Sequence, residues 1–175
     1  SLFTGLIQWV FLGPSLAWIW LIALSISLGC ALNWIHIYLR PLHNTLKIFW
    51  ALGTLSLVLM VLNIETSEIL PSLASKRGWI MAIGPLFASL TGIGFKEFFC
   101  FGRPEAIGLT ALLPVALLGH LFGLLNGASV IALLLIAAIL LLIMGLRKFG
   151  MAPADDIGDK SVFEHMNSQQ TEKYL

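Results

Sequence analysis

The sequence predicts an all-α, polytopic membrane protein of about five transmembrane helices, closed by a polar C-terminal tail. Three observations predict it. Of 175 residues, 58% are hydrophobic and only 11% charged, with a mean hydropathy of +0.93, whereas a soluble domain carries about a quarter charged residues to cover its surface. Several apolar stretches approach or exceed the roughly 18 to 20 residues that cross a bilayer. The basic residues also sort strongly between the two sides that alternating spans create.

Residues 1–14 are apolar but short and end at Gly13-Pro14. They read as an interfacial helix or the end of a preceding span, and a start at Ser1 rather than Met implies a segment before it. The predicted transmembrane domain occupies residues 15–147. Its first helix runs over 15–38, with Trp9, Trp18, Trp20 and Trp34 as interface anchors. The second covers 46–64. The polar loop "ETSEILPSLASKR" leads to the third, 78–95, and the fourth spans 107–125. The turn "NGAS" opens the fifth, 130–146. Pro85 and Pro114 should bend the third and fourth helices, because proline cannot donate to the carbonyl one turn back. Residues 148–175 are polar and lack the apolar content to fold alone.

Charge placement tests this order. Arg40, Lys47, Lys96, Arg103, Arg147 and Lys148, with Lys160 and Lys173 of the tail, fall on one side; Lys76 and Arg77 fall on the other. Basic residues are retained on the cytoplasmic side. The tail and the connection around residue 100 are therefore expected on the cytoplasmic side, or the stromal side in a plastid.

Composition also excludes functions. A net charge of +1 gives no reason to expect nucleic acid, and the two cysteines, Cys30 and Cys100, do not make a disulfide framework. Cys30, inside an apolar run, reads as a small core residue. No glycine-rich phosphate loop, nucleophile elbow or zinc spacing is present. Every predicted span lacks the carboxylates that ion pumps and proton relays use. The expectation is a non-catalytic integral membrane subunit, or an assembly or interaction factor, of a larger complex. A small transporter or membrane enzyme is a further alternative.

Four features remain as candidate sites. "GIGFKEFFCFGRPEAIG" places Lys96, Glu97, Arg103 and Glu105 among aromatics between two spans. The favoured expectation is an elbow broken by Gly102 and Pro104, its phenylalanines at headgroup level and its charges in water. The alternative is a re-entrant edge whose paired charges bind a lipid headgroup or a partner subunit. Gly119, Gly123 and Gly127 recur every four residues, a stripe that lets helices approach closely within the bundle or against another protein. His120 lies beside it, inside the fourth predicted span. A buried imidazole needs a hydrogen-bond partner or a metal, so His120 is either bonded to a neighbouring helix or an axial ligand to chlorophyll magnesium. His36, Arg40 and His43 lack a third firm ligand for a metal site and read as interfacial side chains.

Two stretches, "IHIYLRPLHNTLKIFWALG" and "GIGFKEFFCFGRPEA", resemble a family of uncharacterised integral membrane proteins, a domain of unknown function, of cyanobacteria and other oxygenic phototrophs. The similarity covers roughly residues 15–150 and transfers no catalytic residue. It implies a setting: a thylakoid or plasma membrane, lipid on the outside, and other membrane subunits, a photosystem among them, as partners.

Overall fold

The computed structural model describes residues 1–13, 16, 18–35, 40–65 and 68–150. Among them the chain forms seven helices and no strand: α1 (Leu2–Leu12), α2 (Trp18–Trp34), α3 (Arg40–Asn63), α4 (Ile69–Ser75), α5 (Trp79–Phe101), α6 (Pro104–Leu121) and α7 (Gly127–Phe149). Four of these, α3, α5, α6 and α7, are long and apolar enough to cross a membrane. The first predicted span corresponds to α2, an apolar helix of 17 residues at the short end of the spanning range. The structure therefore holds four candidate spans plus shorter apolar helices, where the sequence suggested about five. The loop "ETSEILPSLASKR" contains one helix that the sequence reading missed, α4, whose Ile69 and Leu73 are buried against the bundle. His36, Tyr38 and the tail residues Asp155, Asp156, Asp159 and Glu164 lie outside the described residues.

Consecutive long helices run antiparallel, and specific polar contacts set their register. Ser25 Oγ meets Thr54 Oγ1 at 2.6 Å, and the Trp50 indole donates to the Ser25 carbonyl at 2.8 Å. These tie α2 to α3. His43 Nε2 lies 2.8 Å from the Leu32 carbonyl, so this histidine caps the α2 end. The buried Ser89 hydroxyl donates to the Leu46 carbonyl at 3.0 Å, locking α5 to α3. In lipid, where apolar burial drives helices together weakly, such bonds and close backbone approach do much of the associating. Leucines and isoleucines fill the seam; Leu57, Leu86, Leu109 and Leu113 are almost completely buried. Cys30 faces outward rather than into this core, a correction to its reading as a core residue.

Two turns decide where the functional groups sit. Gly102 adopts the left-handed conformation at φ 60°, its N–H bonds the Phe98 carbonyl at 2.7 Å, and Pro104 starts α6. Glycine after a helix end and proline at the start of the next is the expected asymmetry. At the opposite face, Gly123 also takes a left-handed conformation, φ 72°, while the Leu124 and Leu125 N–H groups return to the Gly119 carbonyl. Asn126 then caps α7 by accepting from the Ser129 N–H at 2.8 Å.

This geometry corrects the glycine stripe. Gly119 lies in the last turn of α6, Gly123 in the turn that follows and Gly127 opens α7, so the three do not form one helix face. Gly119 packs on Leu125 within the same turn. A side chain at position 123 would be strained at its φ and would press on the Arg77 guanidinium. Gly123→Ala is expected to destabilise the protein by about 1–2 kcal/mol, the cost of a left-handed L-residue. Thermal unfolding in detergent checks it, and a neutral result would mean that this turn is not formed.

Candidate functional site: an ion cluster and an apolar cavity at opposite ends

At the end where α3 and α6 begin and α5 and α7 finish, the predicted elbow is much shorter than expected. Helix α5 continues through Phe101, so Lys96 and Glu97 belong to its last turns. Lys96 is 5% exposed, Glu97 0% and Glu105 8%. The Lys96 ammonium lies 3.3 Å from Glu97 Oε1, and the Lys148 ammonium of α7 lies 2.9 Å from the same oxygen. Arg147 Nη1 approaches Glu105 Oε1 at 2.7 Å. The Phe101 ring carries Lys96 at 5.1 Å and Arg103 at 5.3 Å from its centroid, distances at which cations are attracted to an aromatic face.

The expectation that these charges face water is therefore overturned. Lys96, Glu97 and Glu105 are buried, and two carboxylates clamp the end of α7 to α5 and α6. The physical reason is long-range: a sequence shows charges beside an apolar run, but not the partners Arg147 and Lys148 that arrive from α7. Phe95 and Phe99, with ring centroids 4.4 Å apart, are exposed on the outer surface of α5. The spans also extend further than their apolar windows, so the statement that every span lacks a carboxylate is corrected. Glu97 and Glu105 lie within α5 and α6, each in a terminal turn.

At the other end, six helices enclose a partly open cavity of about 160 Å³. Helix α1 supplies Leu6 and Trp9, α2 Trp20 and Leu21, and α4 Leu73; α5 supplies Ile83 and Phe87, α6 Leu117 and His120, and α7 Val130, Ile131 and Leu134. The Trp20 indole N–H is already used, donating to the Gln8 side chain. His120 is different. It sits in the last turn of α6, and its Nε2 is buried without a hydrogen-bond partner. The expected bond from His120 to a neighbouring helix through that nitrogen is absent. A buried orphan nitrogen costs about 1–3 kcal/mol, and such atoms call for a reason.

Chlorophyll is a poor fit to this space. A cavity of about 150 Å³ holds benzene, so one of about 160 Å³ admits a single six-membered ring and does not enclose a tetrapyrrole macrocycle. Among the described residues no three His, Cys, Asp or Glu side chains converge as a metal site.

A family model described as uncharacterized integral membrane protein (DUF2301) matches residues 30–165. The chain belongs to that family. No curated protein and no solved structure matches it. The matched stretch contains α3 to α7, the whole ion cluster and His120. The walls contributed by α1, and by Trp20 and Leu21 of α2, precede it. The cavity is thus completed by residues outside the family's matched region. Sequence reasoning singled out His120 but missed the cavity, whose lining is ordinary leucine, isoleucine and tryptophan spread over six helices.

Proposed function

We propose that the protein is a non-catalytic integral membrane protein that acts by binding, with the cavity under α1 as a site for a lipid-soluble molecule. One observation carries this reading: a partly open cavity walled by apolar side chains from six helices, with the His120 imidazole among its lining residues. Ligand sites have this composition, mostly apolar with few polar groups that fix orientation. In the ion cluster Glu97 Oε1 is engaged by Lys96 and Lys148 and Glu105 Oε1 by Arg147, while Glu97 Oε2 is buried without a hydrogen-bond partner.

Cavity filling tests this function. Ile131→Trp places bulk in the cavity, whereas Ile136→Trp on the outward face of α7 leaves it open. Protein purified gently from its membrane should release about one apolar molecule per chain on solvent extraction. Ile136→Trp should retain that molecule and Ile131→Trp should lose it. Equal yields from wild type and both variants would place the extracted lipid on the outer surface and remove the cavity reading.

In this reading the ion-cluster end is cytoplasmic, because Arg40, Lys47, Lys96, Arg103, Arg147 and Lys148 gather there against Lys76 and Arg77 opposite. In a background with Cys30 and Cys100 replaced by serine, single cysteines at Gly150 and Ser75 should label from opposite sides of sealed vesicles. Labelling of both from one side would contradict the topology. Docking onto a larger complex such as a photosystem would use the outward apolar faces of α3 and α7, which lipid covers equally well.

A further inference from the structure

Resting on the cavity reading above, we infer that the occupant is an anionic lipid. One hydrocarbon chain lies in the cavity, and its oxyanion headgroup, a phosphate or a carboxylate, sits on Arg77 at the mouth. The form of the space points to a chain. Its walls run from Gly127 to Leu134 along α7 and from Ile80 to Phe87 along α5, stretches that each rise about 10 Å. Both helices start at this end of the bundle, so Gly127 and Ile80 mark the outer end, and Leu134 and Phe87 the inner one. A volume of about 160 Å³ spread over that depth is narrow. The inner end is closed by Ile83 and Phe87, both buried. The outer end is open, since Gly127 is exposed and a Cβ added there would meet nothing within 4 Å.

The lining chemistry places the headgroup outside. The walls hold no Lys, Arg, Asp or Glu, and a charged group drawn between them would lose its hydration without gaining a partner. A hydrocarbon chain needs no partner, and it restores the dispersion contacts that an empty space withholds from the lining. The cation stands at the open end. The Arg77 guanidinium packs over Gly123, in the turn between the lining residues His120 and Gly127, and the missing side chain at position 123 leaves it that place. In sequence Arg77 is likewise flanked by lining residues, Leu73 and Ile80. Arg77 is exposed, and among the described residues neither Glu65 nor Glu68 pairs with it. A guanidinium fork matches the oxygens of a phosphate or a carboxylate.

The test uses the intact protein in phosphatidylcholine nanodiscs, with protein-free nanodiscs correcting for partition into lipid. Dodecyl phosphate brominated on its chain is followed by saturable quenching of tryptophan fluorescence, with Trp9 and Trp20 in the cavity wall. Unlabelled dodecyl phosphate, dodecanoate and dodecanol compete against it. At least one anion should bind about fivefold more tightly than dodecanol, the upper range for an exposed charge pair. Tighter binding of the phosphate assigns a phospholipid, and of the carboxylate a fatty acid. Arg77→Gln should remove the preference and leave the affinity for dodecanol unchanged. Gly127→Phe, which places a ring at the open end, should weaken all the probes together. Thermal melts of both variants confirm that they fold. Equal affinity for the anions and dodecanol, or an anion preference that survives Arg77→Gln, would overturn the headgroup assignment while leaving a lipophile site standing. Absence of saturable quenching, or binding untouched by Gly127→Phe, would overturn the cavity reading as well.

Discussion

Glu97→Ala is expected to lower stability by about 3–5 kcal/mol, the cost of removing one partner from a buried ion pair. The carboxylate is completely buried and takes two ammonium groups on one oxygen, Lys96 at 3.3 Å and Lys148 at 2.9 Å. Its removal leaves Lys96, itself 5% exposed, without its nearby carboxylate and releases the end of α7 from α5. Glu97→Gln should lose less, since the amide oxygen still accepts both hydrogen bonds but without the charge. The Arg147–Glu105 pair is a useful contrast, because the Arg147 side chain is 58% exposed. Arg147→Ala should cost about 1 kcal/mol or less, in the range of exposed pairs. Unfolding of the three variants in the same detergent gives the comparison. A Glu97→Ala protein as stable as Arg147→Ala would show that the cluster does not hold α7.

Gly53→Leu is expected to be the most damaging single change in the transmembrane core. A Cβ at position 53 would lie 2.4 Å from the backbone nitrogen of Leu86 and 2.8 Å from its Cα. The obstacle is backbone, which cannot rotate away, so α3 and α5 must separate along their length. Even Gly53→Ala should cost about 1–3 kcal/mol, the usual range for overpacking, and the leucine correspondingly more. Gly84, with nothing within 4 Å of its added Cβ, is the control. Gly84→Ala should be neutral or raise stability by up to about 1 kcal/mol through helix propensity. Thermal melts would separate the two positions, and equal effects would mean that α3 and α5 do not cross at Gly53.

These two positions also show what the sequence disclosed. The apolar runs, Gly102 with Pro104, and the turn "NGAS" before α7 were legible because each acts locally: length and backbone conformation are written into neighbouring residues. Gly53 gave no signal, since one glycine in an apolar run is informative only when the facing helix is known. Glu97 was visible as a charge but not as a buried one, because its partner Lys148 arrives from α7. The glycine stripe misled for the opposite reason. A four-residue spacing implies one face only while the helix continues, and "FGLLNGAS" contained the turn that breaks it. His120 was recognised as an imidazole needing a partner. What surrounds it could not be read, because six separate helices build the cavity wall.

The central claim is that the cavity beside His120 is a binding site rather than a packing defect. An experimental density map of the protein, purified from its own membrane into a lipid nanodisc, tests it most directly. The account predicts a non-protein feature between Trp9, Trp20 and Phe87. A collapsed or empty cavity would contradict it.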